Sequence, residues 1–314
     1  MIRIRVTRFL SGAAAAVVAS VVSSDGASPK RVNSDAAYLA SLPLLSMPVA
    51  SASREFPIRD NKNPSASGHQ MPSPLTAAEA MARWPNLYVI PQTRAVRGLF
   101  TTLRDANSSQ GAFVNAADRL MRILAEEGLA ALPGCVEGFT VKTPVPNESY
   151  HGFKASPSTA IAAVSIVRAG DTLLEAARSV CPALAAGKIL IQRDENDSEK
   201  RPKLFYVKLP PHIASRAGIL LVDPMLATGQ SAGLAIRELM ARGVKEELIV
   251  FLNVVACPEG LDALFTAHPH IKVVTGAVDS YLNSSKYICP GLGDFGDRYF
   301  GTTTDDRVPG GGSG

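Results

Sequence analysis

Cysteine is scarce in this sequence. Its 314 residues include four cysteines, Cys135, Cys181, Cys257 and Cys289, and no two of them form a Cys-x-x-Cys pair. This spacing argues against a disulfide framework and against the common zinc motifs. We therefore expect a protein of a reducing compartment, and we predict no metal held by protein side chains alone.

The sequence also lacks a strong excess of either charge. Lys and Arg number 32 against 28 Asp and Glu, and part of this surplus lies in Arg3, Arg5 and Arg8. Because the rest of the chain is nearly neutral, a nucleic-acid-binding surface is not indicated. We predict no nucleic-acid partner.

A long hydrophobic run is missing as well. The apolar stretch from Phe9 to Val22 is shorter than the roughly 20 residues that a helix needs to cross a membrane. We predict no stable membrane insertion. With the basic residues before it, the stretch is typical of a targeting segment. A secretory signal, an Arg-rich organelle presequence and a disordered tail remain alternative interpretations.

Composition divides the chain into three parts. Residues 1–75 form a low-complexity or targeting extension, in which the Ser-, Pro-, Ala- and Asn-rich part from Ser23 onward is too polar to offset the cost of ordering. Residues 76–302 form the predicted domain. Residues 303–314 are predicted to be a flexible tail.

Alternating strand and helix patterns occupy the predicted domain. Apolar residues at helical spacing predict a helix over Arg119–Leu132, and from Ala160 onward short aliphatic runs alternate with helical patterns. The predicted strands are Ala160–Val167, Lys188–Gln192, Lys203–Leu209, "GILLV", Leu248–Ala256 and Lys272–Val278. This alternation predicts an α/β fold, a doubly wound, mainly parallel sheet with helices on both faces.

One strand-loop-helix segment, "ILLVDPMLATGQSAGLAIREL" from Ile219 to Leu239, stands out. In open parallel sheets ligands bind beyond the carboxyl ends of the strands, and small and hydroxyl residues before a helix favour an anion there. No lysine follows Gly229, so this is not a nucleoside-triphosphate loop. Asp223 suits ribose hydroxyls or a magnesium-bound water. An ordinary turn with Ser231 as the helix N-cap is the alternative.

Five stretches together resemble the uracil phosphoribosyltransferases, a family of the type I phosphoribosyltransferase fold. "VDPMLATGQS" resembles their loop for phosphoribosyl pyrophosphate (PRPP), and "VSIVRAGD" and "IQRDE" resemble the two segments that hold its diphosphate. "YICPGLGDFGDRYFGT" resembles the uracil-binding tail, and "TTLRDANSS" an early Leu-Arg-Asp segment. The resemblance covers roughly residues 85–302 and implies that fold with a small hood.

The resemblance also implies an activity, which is transfer of the phosphoribosyl group from PRPP to uracil with magnesium (Mg²⁺) as cofactor, in pyrimidine salvage. The implied catalytic residues are Arg168, Arg193 and Asp294. The implied PRPP-binding residues are Arg168, Ala169, Gly170, Arg193, Asp223, Pro224, Met225, Leu226, Ala227, Thr228, Gly229, Gln230 and Ser231. The implied uracil-binding residues are Tyr287, Ile288, Gly293, Asp294 and Phe295.

Three residues depart from the family's pattern. Gln230 replaces a glycine of the usual Gly-Gly-Ser, so its side chain adds a donor to the phosphate loop or crowds it. Asp171 replaces an apolar residue, and we expect its side chain to cap the following helix. Cys289 replaces an aliphatic residue next to the base site, and we expect a small buried side chain, with a reactive thiol as the alternative.

Other functions on the same fold remain open. A different base would keep the PRPP loop, and a regulatory or catalytically silent relative would bind PRPP or nucleotides without turnover. The family resemblance also implies a homodimer or homotetramer and a GTP effector, for which no residue is assigned. We expect a cytoplasmic protein, with a mitochondrial location through the Arg-rich N-terminal segment as the alternative.

Overall fold

The computed structural model describes residues 3–8, 17–22, 75–133, 136–154, 160–193 and 202–302. The chain falls into two compact units, Met1–Ser67 and Gly68–Gly314. In the first unit, strands β1 (Arg3–Arg8) and β2 (Val17–Val22) pair antiparallel, with Arg3 opposite Val22. The linker and the C-terminal tail that the sequence predicts lie outside the described residues, and the domain boundaries stay predictions.

The second unit is built on a mixed sheet in which parallel pairs predominate, as predicted. The strands of this sheet are β3 (Leu87–Val89), β6 (Ile161–Val167), β7 (Ala185–Arg193), β8 (Pro202–Lys208), β9 (Gly218–Val222), β10 (Met225–Leu226), β11 (Ile249–Ala256) and β12 (Lys272–Val278). Their order in the sheet is β3-β12-β11-β9-β6-β7-β8, β10 pairs with β11, and β8 alone runs antiparallel to its neighbour among these described strands.

Two short hairpins complete the strands. They are β4 (Val136–Lys142) with β5 (Ser149–Lys154), and β13 (Tyr281–Leu282) with β14 (Ile288–Cys289).

Helices cover both faces of the sheet and enclose a separate apolar core on each. The helices are α1 (Ala77–Arg83), α2 (Arg94–Arg104), α3 (Gln110–Ala131), α4 (Gly170–Val180), α5 (Gln230–Met240), α6 (Pro258–Ala267) and α7 (Phe295–Phe300). Helices α2, α3 and α4 pack on one core and α1, α5 and α6 on the other. Central strands serve both cores, since Leu220 and Leu252 face one while Leu221 and Phe251 face the other.

Local sequence signals place most helix starts. Thr76 and Glu79 form a capping box at α1, and the Thr93 and Ser109 hydroxyls accept N–H groups at the starts of α2 and α3. Helix α3 therefore begins nine residues before the predicted Arg119. The two short hairpins were not predicted, because neither shows a long apolar alternation. Among the described residues, no helix combines the length and the apolar character needed to cross a membrane.

Candidate active site

The predicted phosphate loop, residues 223–231, lies at the carboxyl end of β9, as expected for a parallel sheet. The Pro224 carbonyl accepts hydrogen bonds from the N–H groups of Val254 and Val255, at 2.8 and 3.1 Å, which ties the loop to β11. Gly229 has φ +74°, and a Cβ on it would lie 3.0 Å from the Gly260 carbonyl. Helix α5 begins at Gln230 with Gly229 as N-cap and without a side-chain cap. The alternative with Ser231 as N-cap is therefore wrong.

A cleft of about 460 Å³ joins the phosphate loop to the predicted uracil-binding tail. From the loop and its surroundings it is lined by Ala169, Asp223, Met225, Leu226, Ala227, Thr228, Gly229, Ser231 and Ala232. From the tail and the β13–β14 hairpin it is lined by Ser285, Lys286, Tyr287, Ile288, Gly293, Asp294, Phe295 and Gly296. Two segments some 60 positions apart in the chain thus face one space.

Asp223 lies at the base of the loop, next to the end of β9. Burial raises the pKa of its carboxyl to about 7, the Met225 N–H lowers it in part, and the nearby Asp294 carboxylate raises it further. Both carboxylates line the cleft. The ionised form of Asp223 is therefore less stable here than it would be in water, and a cation or a ribose hydroxyl beside the carboxylate would stabilise it.

The tail presents mainly backbone to the cleft. Phe295 is fully buried, with its ring 5.4 Å from that of Phe113, so its main chain rather than its ring is available to a ligand. Gly293 has φ +79°, and Asp294 caps α7 by accepting the Asp297 N–H at 2.9 Å. Tyr287 keeps half of its surface exposed, and Ile288 is buried.

Arg168 follows β6 after a cis peptide bond, but its guanidinium is engaged by the C-terminal segment. It donates to Asp297 at 2.6 Å and to Thr302 at 3.0 Å, and it lies over the Phe300 ring. The Thr302 hydroxyl, which donates to Asp297 at 2.7 Å, lowers the pKa of Asp297 most, and the bond from Arg168 lowers it next. The Arg168 side chain therefore stands beside the cleft rather than in its lining.

Glycine is required directly after this arginine and Ala169. A Cβ on Gly170 would lie 2.4 Å from the Val222 carbonyl, so the turn can approach β9 only without a side chain. The second predicted diphosphate residue, Arg193, ends β7, and its side chain lies outside the described part of the structure. Pro224 is buried beneath the loop.

Asp171 does not cap α4, contrary to the prediction. It is the second residue of the helix, where its carboxylate accepts the Ser165 hydroxyl at 2.6 Å and pairs with Lys188 at 2.7 Å. A cap must precede the helix to reach its free N–H groups, and Ala169 occupies that position. Lys188 balances the charge that the sequence places near the predicted diphosphate segment.

The other two departures also find defined places. Gln230 lines a second groove, between α5 and α6, together with Gly233 and Arg237, and is not among the residues that line the cleft. Cys289 is half-buried rather than buried, and its thiol lies 3.7 Å from the Tyr287 carbonyl.

Ser285 and Lys286 line the cleft and were not predicted. Lys286 has φ +65° and closes a turn in which its N–H donates to the Asn283 carbonyl at 2.9 Å. It is the cationic side chain among the described residues that line the cleft. The sequence "NSSK" before Tyr287 is typical of a turn, but it does not show whether the lysine faces the cleft or the solvent.

Comparison with known proteins agrees with this geometry. Residues 89–302 match the family model described as uracil phosphoribosyltransferase. The uracil phosphoribosyltransferase of Dictyostelium discoideum is 48% identical over 217 residues, which are 69% of this chain and 97% of that protein. This chain belongs to the uracil phosphoribosyltransferase family.

One further member of the uracil phosphoribosyltransferase family and one solved structure extend the comparison. The Saccharomyces cerevisiae uracil phosphoribosyltransferase is 46% identical over 68% of this chain and 96% of its own length. The structure of the AQ2163 protein from Aquifex aeolicus is 28% identical, with a TM-score of 0.57 over 70% of this chain and all of that one.

Proposed function

We propose that this protein catalyses the salvage of uracil, in which PRPP and uracil give UMP and pyrophosphate. The observation that carries the proposal is the single cleft in which the "DPMLATGQS" loop faces the "PGLGDFGD" tail. One segment suits a phosphorylated ribose and the other a small planar base. The family membership of the chain supports the same reaction.

The ribose 5'-phosphate fits the start of α5. The first-turn N–H groups at Gln230 and Ser231 follow a left-handed Gly229, and they have no side-chain cap to satisfy them. A helix N-terminus of this kind stabilises an anion through its N–H groups and its dipole. The Thr228 and Ser231 side chains line the same space and add hydroxyl donors.

The reaction forms a bond between uracil N1 and ribose C1 and breaks the bond from C1 to the diphosphate, with inversion at C1. Positive charge develops on the ribose and negative charge on the leaving diphosphate, so the protein acts by positioning and by electrostatic stabilisation. Arg168 has N–H groups beyond the two bonds to Asp297 and Thr302. We assign it and Arg193 to the diphosphate.

Uracil is recognised mainly through the backbone of Ile288, Gly293 and Phe295, with Tyr287 packing by its face. A fixed N–H that faces O4 accepts uracil, whereas it meets the amino group of cytosine and leaves two donors unpaired. We assign Asp294 a role with the base proton or with a metal-bound water, because it lies in the cleft opposite the loop.

Magnesium fits the acidic end of the cleft when it arrives with PRPP. Two carboxylates, Asp223 and Asp294, line the cleft there, Asp294 raises the pKa of Asp223, and Mg²⁺ prefers carboxylate and phosphate oxygens. No group of three or more His, Cys, Asp or Glu in the described ranges would hold a metal without the substrate. The ion would stabilise the charge of the diphosphate as it leaves.

A homodimer or homotetramer is the proposed assembly. The β4–β5 hairpin leaves Tyr150 64% and Phe153 79% exposed, and the edge strand β8 exposes Phe205 and Tyr206. Large exposed aromatic side chains of this kind favour a protein interface. The molecular mass in solution, measured by light scattering, tests this proposal, and a monomer at micromolar concentration would contradict it.

A GTP effector and a cytoplasmic location are two further proposals from the family. The first is tested by adding GTP to the assay at limiting PRPP. The second is tested by imaging the full chain beside a variant that lacks residues 1–22. A mitochondrial signal that is lost on this deletion would reject the cytoplasmic location and support the mitochondrial one.

The deciding experiment follows pyrophosphate release with PRPP, magnesium and each of uracil, cytosine, orotate and hypoxanthine. We expect turnover with uracil alone. Turnover with another base would support phosphoribosyl transfer from PRPP but would reject uracil as the base that the tail recognises. No turnover with any base, together with measurable PRPP binding, would favour the regulatory or silent relative.

A further inference from the structure

The Leu-Arg-Asp segment at the end of α2, Leu103–Asp105, contributes no lining residue to the cleft. It is nevertheless linked through two arginines to the loop Gly291–Phe295, which we call the base loop. Arg104 donates to the carbonyl of Gly291, 187 positions away. Arg298 bridges the Leu292 carbonyl to the carbonyls of Leu103 and Asp105, which lie 195 and 193 positions from it in the chain.

The first set of bonds joins Arg104, Asp279 and Gly291. The Arg104 guanidinium donates to both oxygens of Asp279, at 2.6 and 2.8 Å, and to the Gly291 carbonyl at 2.8 Å. The Asp279 carboxylate also accepts the Gly291 N–H at 2.8 Å. Asp279 is only 3% exposed, so its carboxylate is shielded from water, and both of its oxygens accept hydrogen bonds from Arg104. Both polar groups of the Gly291 main chain are thereby held.

The second set of bonds is made by Arg298 in α7. Its guanidinium donates to the Leu292 carbonyl at 2.7 Å, to the Asp105 carbonyl at 2.7 Å and to the Leu103 carbonyl. It also lies 4.3 Å above the Phe113 ring. The base loop is therefore attached to the end of α2 at two consecutive residues, Gly291 and Leu292.

We propose that Arg104 and Asp279, with Arg298, are positioning residues that determine the affinity and selectivity for uracil without touching it. This inference rests on the proposed function. A backbone N–H cannot adjust by a change of rotamer, so recognition through Gly293 and Phe295 depends on how the preceding residues are held. A shift of about 1 Å in such a group costs on the order of 100-fold in rate.

The phosphate loop has its own attachment, to β11 and α6, and shares none of these bonds. Weakening the Arg104–Asp279 pair should therefore raise the KM for uracil while leaving the KM for PRPP near the wild-type value. A residue with a merely structural role would change both constants together, or would change the melting temperature alone.

The experiment compares Arg104→Ala, Arg104→Lys and Asp279→Asn with a matched control pair, Arg83→Lys and Asp262→Asn. Arg83 and Asp262 also form an ion pair at 2.6 Å, but between α1 and α6 on the other face of the sheet. For each protein, the KM for uracil, the KM for PRPP, kcat and the melting temperature are measured, together with the rate with cytosine.

We expect Arg104→Ala to raise the KM for uracil by about tenfold or more, with less than about a twofold change for PRPP. Arg104→Lys keeps the charge and loses the two-pronged contact, so it should lie between Arg104→Ala and wild type. Asp279→Asn should narrow the preference for uracil over cytosine. The control variants should change neither KM.

Equal changes in both KM values, or an unchanged KM for uracil in a folded Arg104→Lys protein, would overturn the positioning role. A wild-type protein that does not use uracil would instead overturn the proposed function itself. The two failures are distinct because one appears in the variants and the other in the parent. If Asp279→Asn fails to fold, the Arg104→Lys comparison still decides the outcome.

Discussion

The phosphate loop and the base loop face each other across one cleft, but they are held in different ways. The phosphate loop is attached by main-chain hydrogen bonds and by close backbone contacts, as between Gly260 and the Ala227 carbonyl. The base loop is attached by charged side chains that lie outside it, which are Asp279, Arg298 and Arg104, the last of these 187 positions from Gly291. A substitution that weakens the attachment of the phosphate loop should therefore impair the use of PRPP more than that of uracil, and one that weakens the attachment of the base loop should do the reverse.

The largest effect is expected for Gly260→Ala, beneath the phosphate loop. A Cβ there would lie 2.5 Å from the Ala227 carbonyl and 2.7 Å from that of Leu226, so the loop must move. We expect kcat/KM for PRPP to fall about 100-fold, with a smaller change in the KM for uracil. Gly111→Ala is the control, because a Cβ on Gly111 meets nothing within 4 Å. A normal kcat/KM for PRPP in Gly260→Ala would contradict this account.

The next effect is expected for Gly291→Ala, in the base loop. Gly291 has φ +65°, and a Cβ would lie 2.1 Å from the Ile288 carbonyl. The KM for uracil should rise about 30-fold, more than the KM for PRPP, which is the reverse of the Gly260 pattern. Steady-state kinetics with each substrate varied in turn give the two constants. If both glycine variants raise the same KM, the two loops are not held independently.

A pH effect is expected at Asp223, whose folded-state pKa of about 7 lies above its ordinary value of 3.8. Because the folded-state pKa is raised, ionisation of Asp223 destabilises the folded protein. The contribution of this carboxyl to the free energy of unfolding is fully present below about pH 4 and is lost as the pH rises to 7. Asp223→Asn should therefore raise the melting temperature of the free protein at pH 8 and not at pH 4. A melting temperature that is equally changed at both values would reject the raised pKa.

Ionisation of the Asp223 carboxyl should raise activity, although it lowers the stability of the folded protein. The ionised form is the one that suits ribose hydroxyls and magnesium, so kcat/KM for PRPP should fall by about tenfold for each unit of pH below 7. Asp223→Asn should be less active by about 20-fold at pH 8 and should lose this dependence. A retained dependence in the variant would assign it to another group, such as a phosphate of PRPP.

The smallest effect is expected for Gln230→Gly, which restores the family's usual Gly-Gly-Ser. The Gln230 side chain lines the groove between α5 and α6 rather than the cleft. We therefore expect the KM for PRPP to change by less than about twofold. A larger change in either direction would mean that this side chain reaches the phosphate site when PRPP binds.

Local patterns determined a large part of this protein. The aliphatic runs predicted each central strand from Ala160 onward, because strands buried on both faces are made mostly of aliphatic residues. The alternation of these runs with helices predicted the mainly parallel sheet. The resemblance of the "DPMLATGQS" and "PGLGDFGD" motifs to those of the uracil phosphoribosyltransferases predicted the two walls of the cleft.

Tertiary structure alone decided the remaining features. Asp171 pairs with Lys188, Arg168 with Asp297, and Arg104 with Asp279, and each pair joins different elements of the fold. A charged side chain in a sequence can serve as a cap, a ligand or an ion-pair partner, and its neighbours in space choose among these roles. The sequence by itself therefore determined the central strands, the helical patterns between them and the substrate motifs, whereas the position of Lys286 and the attachment of the base loop to Arg104 depended on contacts in the folded protein.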